Sequence, residues 1–252
     1  MKDFIDKYWK TLLFFGLVGL VGGFFTGLYM LDSYPAQMQQ ELLNQGITKP
    51  ILGLITAVQS AGYGIVLGAL GIFFGKKTGL WKDERTIERK TLMVTIVVSV
   101  LGGLALILPD LLFFGKYSQA IMDSYSVKPT VPYMLAAVLY GGVIEEVMLR
   151  LFMMSLIAFL LHKLFDRKKE KPATGILIAA NVIAALLFAA GHLPATAMLM
   201  GITPMILFRC FLLNGGFGLL FGFLYRKYGL RYAMLAHGGC HIVSKLIWMF
   251  FI

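Results

Sequence analysis

Gly141-Gly-Val-Ile-Glu145-Glu146-Val-Met-Leu-Arg150 sets two adjacent carboxylates and a guanidinium inside an otherwise apolar run. Ionisable groups in hydrocarbon are costly, and they persist where they pair, line a wet cavity or do chemistry. On a helix, Glu146 and Arg150 stand at i and i+4 and share a face. Glu145 is turned from Glu146 by about 100°. The pattern predicts an internal Glu146–Arg150 ion pair, with Glu145 left to point into a cavity. A carboxylate short of water suits general-base work near neutral pH. The same residues allow a plainer reading, in which both glutamates pair with Arg150 and Lys245 and simply hold helices together.

The rest of the chain supplies the apolar setting. Of 252 residues, 58% are hydrophobic and only 14% charged, against about 25% charged in a soluble domain. Apolar runs fall at about 11–31, 51–75, 92–114, 131–161, 173–193, 203–225 and 230–252. Each can cross a hydrocarbon core about 30 Å thick. Backbone groups in lipid must bond within their own segment, so these runs are helices. The fold expected is all-α, a polytopic membrane helix bundle of about seven to eight transmembrane helices, in one domain over 1–252. The first run is long and lacks a small-residue cleavage site, so it reads as a span rather than a signal peptide.

The net charge of +10 is distributed as an orientation signal. The N-terminus and the segments 76–91, 162–172 and 226–231 hold seventeen Lys/Arg, whereas the alternate segments 32–50, 115–130 and 194–204 hold three. The positive-inside rule then puts the N-terminus in the cytoplasm, and seven spans put the C-terminus outside. Attraction to anionic lipid heads follows from the same charges. No nucleic-acid partner is expected.

Glycines recur at four-residue spacing, at Gly19, Gly23 and Gly27, then Gly64 and Gly68, Gly71 and Gly75, and Gly218 and Gly222. Small residues at that period let helices pack closely. Cys210 and Cys240 lie in apolar segments and read as free thiols. Residues 82–90 read as a short interfacial helix. Pro109-Asp110 reads as an interruption of the third span, with Asp110 near the outer interface. The stretch 194–213 has room for a re-entrant piece.

Two further constellations carry chemistry. Phe188-Ala-Ala-Gly-His192 places an aromatic ring and an imidazole one turn apart, and Pro194 marks an end or kink of that helix. His237-Gly-Gly-Cys-His241 places two imidazoles on one face. That spacing is also found in metal-binding histidine pairs, so a zinc site drawn from Glu145, His192, His237 and His241 is chemically possible. The glycines between the histidines open that face to a neighbouring helix or a substrate backbone. In an antiparallel hairpin around the basic turn 162–174, Glu145 and His192 are level, each about 25 Å from the turn. His237 is only about 10 Å from its own basic turn. Convergence therefore requires the fourth and fifth helices to extend beyond the membrane on the cytoplasmic side.

Together the three segments resemble the CPBP or Abi family of CAAX proteases and bacteriocin-processing enzymes. That family's motifs are Glu-Glu-x-x-x-Arg, Phe-x-x-x-His and His-x-x-x-Asn/Asp. Here they read Glu145-Glu146-Val-Met-Leu-Arg150, Phe188-Ala-Ala-Gly-His192 and His237-Gly-Gly-Cys-His241, over about 131–245. The stretch Phe217-Gly-Leu-Leu-Phe-Gly-Phe-Leu-Tyr-Arg-Lys-Tyr-Gly229 resembles the family's lead-in to the third motif. The resemblance implies an intramembrane endopeptidase acting on a hydrophobic or lipidated peptide tail, of CAAX type or of leader and bacteriocin type. It implies a multi-pass protein of the plasma membrane if the source is bacterial. Glu145 and His192 would activate water, and His237 and His241 would stabilise the oxyanion, with Glu146, Arg150 and Phe188 in support. It implies no cofactor, although the family was once classed with metalloproteases. His241 stands where the family usually has asparagine or aspartate. An imidazole can still donate to an oxyanion, and a third imidazole also favours the zinc alternative. A non-catalytic immunity or scaffolding protein of the same fold is the other alternative.

Overall fold

Apolar runs of this length, with their backbone bonded internally, give helices throughout. The computed structural model describes residues 2–83 and 87–252. Helix α1 spans Lys2–Ser33, α2 Ala36–Asn44, α3 Lys49–Thr78 and α4 Arg89–Leu112. Helix α5 spans Gln119–Ser124 and α6 residues 131–165. Then come α7 at Thr174–Gly191, α8 at Leu193–Met200, α9 at Pro204–Tyr228 and α10 at Leu230–Phe251. No strand interrupts them among the described residues. Six segments are long and apolar enough to cross a membrane: α1, α3, α4, α7 with α8, α9 and α10. The chain is an integral membrane helix bundle. The remaining long helix, α6, carries the two glutamates and the arginine at its middle.

Between lipid-bathed helices the hydrophobic effect contributes little, so contact depends on close packing. The glycine rows provide it. A methyl at Gly19 would lie 2.5 Å from the Ser60 carbonyl oxygen, and Thr56 Oγ1 donates to the Gly23 carbonyl at 2.7 Å. This welds α1 to α3. Gly218 lies against Ala185 and Gly222 against Asn181, which joins α9 to α7. Gly142 on α6 meets Gly238 on α10, backbone to backbone. The other face of α10 packs on α4, where Gly239 meets Ser99 and Gly103 meets Val243.

The chain ends and turns sort into two ends of the bundle. At the basic end, Lys7 and Tyr8 of α1 bond Asp83, and Lys82 donates to the Lys227 carbonyl before α10. At the other end, Lys128 donates to the Trp248 carbonyl and Trp248 Nε1 donates to the Tyr125 carbonyl.

Two local expectations are corrected. Pro109 does not interrupt α4 but sits in its last turn, where the Phe113 N–H still reaches the Pro109 carbonyl at 3.0 Å. Near a helix end few intrahelical bonds remain for a proline to break. Asp110, beside it at the end of α4 away from the basic end, is fully buried, with Arg209 of α9 donating to both its oxygens at 2.6 Å and Tyr125 donating to it at 2.9 Å. Of the interfacial helix expected over 82–90, residues 84–86 lie outside the described residues, and 82–83 and 87–88 are not helical.

Candidate active site

Helix α6 is wound wide where it carries its charges. Residues 136–145 and 147–154 bond i→i+5 rather than i→i+4. Such turns are uncommon and tend to mark functional sites. The glycines at 141 and 142 leave this stretch without side chains on the side facing α10, which lets the two backbones approach.

The Glu146–Arg150 pair expected from the spacing is present. Arg150 Nη1 lies 3.0 Å from Glu146 Oε1, both side chains being buried. The same Oε1 accepts a hydrogen bond from His237 Nδ1 at 2.8 Å. This link between the first and third motifs was not anticipated from sequence. The guanidinium lies 4.5 Å from the Phe188 ring and 5.5 Å from the Phe221 ring. The Phe221 ring stacks on His237 at 4.5 Å and 20°. Phe221 stands within the lead-in to the third motif, but spacing alone gave it no role.

His192 forms the joint between α7 and α8, as Pro194 suggested. Its Nδ1 donates to the Phe188 carbonyl at 2.8 Å. A carbonyl only accepts, so the free nitrogen, Nε2, carries the lone pair. The ring packs edge-on against Phe188 at 4.7 Å. His237 and His241 lie 4.9 Å apart, ring to ring. Their Nε2 atoms converge on Gly141: a methyl there would be 3.1 Å from that of His241 and 3.9 Å from that of His237. His192 and His237 both lie within electrostatic range of His241.

Glu145 is partly buried and has no hydrogen bond or ion pair among the described residues. It lies within electrostatic reach of Arg150 and Tyr140. The plainer reading, in which the glutamates pair with Lys245, is not what forms. Lys245 lies over the rings of Tyr133 at 4.6 Å and Trp248 at 5.6 Å instead.

The Glu146–His237 bond joins the middle of α6 to a residue seven after the start of α10, so the two helices are offset along their length.

Among the described residues, no group of three or more His, Cys, Asp or Glu is arranged to hold a metal ion. Glu145, His192, His237 and His241, the four residues considered as zinc ligands, are not gathered into such a group. Cys210 and Cys240 are free and buried on separate helices.

Residues 127–243, a little under half of the chain, match the family described as type II CAAX prenyl endopeptidase Rce1-like. No curated protein and no solved structure matches the chain. All seven motif residues fall inside the matched stretch, and the match is consistent with the CPBP/Abi family that the motifs resemble.

Proposed function

We propose that the protein is an intramembrane endopeptidase that cleaves a hydrophobic or lipidated peptide tail with water activated by Glu145. The observation that carries this reading is the division between the two glutamates. Glu146 is held by Arg150 and His237, whereas its neighbour Glu145 has no such partner and keeps some exposure.

In this reading Glu145 takes a proton from water, and His192 Nε2 orients that water as hydrogen-bond acceptor. The hydroxide adds to the scissile carbonyl carbon. His237 and His241 face the oxyanion through their Nε2 atoms, where a positioned donor contributes about 3–4 kcal/mol in other hydrolases. Glu146 fixes the His237 ring by accepting from Nδ1, and its charge offsets the positive charge on that ring when Nε2 also carries a proton. The C–N bond then breaks, and the proton held by Glu145 passes to the leaving amine. General base catalysis of this kind is worth about 10²–10⁴-fold.

The test is cleavage of a farnesylated CAAX peptide and of a hydrophobic leader peptide by the purified protein in proteoliposomes. Glu145→Gln and His192→Ala should each lose at least about 10²-fold in rate. Wild-type cleavage by either variant would remove that residue from the mechanism. A non-catalytic scaffold of the same fold would cleave neither peptide and would function unchanged as Glu145→Gln.

A further inference from the structure

A second concavity opens at the basic end of the bundle, away from the three motifs. It has a volume of about 790 Å³, within the range of roughly 300–1,000 Å³ typical of small-molecule sites. Among the described residues its lining includes the cations Lys7, Lys10, Lys82 and Lys227 and the carboxylates Asp83 and Glu88. Its floor is apolar, built from Phe14, Phe15, Leu230 and Met234.

The rim is held by contacts between distant parts of the chain. Asp83 accepts from Lys7 at 3.0 Å, from Tyr8 at 3.1 Å and from Trp81 Nε1 at 2.7 Å. Lys82 reaches the Lys227 carbonyl at 2.6 Å, and the Tyr232 hydroxyl accepts from the Glu88 N–H at 2.9 Å. The one carboxylate that faces several donors is thus already engaged. Among the described residues, Lys10 and Lys227 have only aromatic faces beside their ammonium groups, Trp9 for the first and Phe223 and Tyr228 for the second. A preformed cavity lined both by these two ammonium groups and by apolar side chains fits an amphiphile with an anionic head.

We propose that this cavity binds the headgroup of an anionic phospholipid, with its phosphate near Lys10 and Lys227 and its acyl chains leaving past Phe14. Three features favour a lipid over a free phosphate ion. The floor is apolar, which a bare anion does not need. Phe14 is 52% exposed and Leu17 continues the same outward surface, so a chain has an apolar path along α1. The cavity also lies at the end of the bundle that the positive-inside rule assigns to the cytoplasm, where anionic lipids are concentrated. Met234 of the floor stands one turn before His237 on α10. A lipid seated there touches the helix that carries the third motif and steadies its first turns.

The experiment uses the full chain purified and reconstituted in nanodiscs of phosphatidylcholine, alone or with phosphatidylglycerol. Thermal unfolding and retention of lipid in native mass spectrometry are measured. Wild-type protein should unfold at a higher temperature with phosphatidylglycerol and should retain it selectively. Lys10→Gln/Lys227→Gln should unfold as wild type in pure phosphatidylcholine and lose the selective retention, by about 30-fold for two surface cations. Equal retention by variant and wild type would overturn the proposal. So would an equal thermal gain from inorganic phosphate in phosphatidylcholine discs, which would assign the cavity to a free anion. If the double variant is already unstable in phosphatidylcholine, Lys10→Gln alone is used, with a loss of about fivefold expected and undiminished retention again counting against the lipid.

Discussion

Gly141→Ala puts a single methyl group into the cleft where two imidazoles converge. Built on the existing backbone, that methyl lies 3.1 Å from His241 Nε2 and 3.3 Å from its Cδ2. Non-bonded heavy atoms settle at about 3.5–4.0 Å, so the His241 ring must retreat by roughly half an ångström. Misplacing a reacting group by about 1 Å can cost 10²-fold, so a shift of half that size should lower kcat by about tenfold. The atoms displaced belong to a partly exposed side chain, so the unfolding temperature should scarcely change. Gly142→Ala is the internal contrast. Its methyl would lie 2.8 Å from Gly238 Cα and 2.9 Å from Gly238 N, all backbone. Helices α6 and α10 would have to separate, at about 1–3 kcal/mol for overpacking. Gly62→Ala, with nothing within 4 Å, should change neither quantity. The assay is peptide cleavage in proteoliposomes, with kcat and KM resolved and thermal unfolding measured on the same preparations. If Gly141→Ala cleaves with wild-type kcat while Gly142→Ala destabilises as expected, the imidazoles do not form the reaction cleft.

Glu146→Ala should be strongly destabilising, by about 3–5 kcal/mol, since it strands a buried guanidinium; thermal unfolding in detergent measures this. Asp110→Asn removes the charge facing Arg209 at the opposite end and should cost a similar amount in stability, with kcat/KM of the surviving folded protein unchanged. In the connection before α4, burial alone would raise the Asp83 carboxyl, but hydrogen bonds from Lys7, Trp81 and Tyr8 hold it below its ordinary value of 3.8. A carboxyl lowered on folding adds stability above pH 3.8 and loses it as pH falls through its folded value. Asp83→Asn should therefore flatten the acid side of the stability–pH curve below about pH 4, as followed by unfolding temperature between pH 6 and pH 3.

The spans were legible because hydrocarbon imposes one rule on every residue of a run, and run length alone then marks a helix. The run read at 92–114 falls within Arg89–Lys116, and the run read at 203–225 starts one residue before Pro204–Tyr228 and ends inside it. The i, i+4 pair of Glu146 and Arg150 was legible because both partners sit on one helix. The bond from Glu146 to His237 was not, since it depends on how far α6 slides along α10, and no periodicity within either helix encodes that offset. The same limit hid Arg209 behind Asp110: the two lie 99 residues apart, and no local pattern around Asp110 names its partner. Phe221 escaped for a related reason. An aromatic among glycines is ordinary packing material until a histidine from the next helix is laid on it.

The two adjacent glutamates are treated differently for a physical reason. Arg150 cannot shed its proton, so its charge has to be met inside the bundle. Glu146 meets it from one side, and the negative faces of Phe188 and Phe221 meet it from the other, where water would otherwise stand. Phe221 also carries His237, so a single ring ties the cation of the first motif to the imidazole of the third. Every member of this cluster is buried and fixed. A carboxylate whose Oε1 meets both Arg150 and His237 makes a poor base, because taking up a proton would leave Arg150 without its counter-charge. Glu145, one position earlier, has no comparable provision, and a carboxylate in that condition needs water beside it. In the proposed mechanism this division of roles makes Glu145, and not Glu146, the group that exchanges a proton with water.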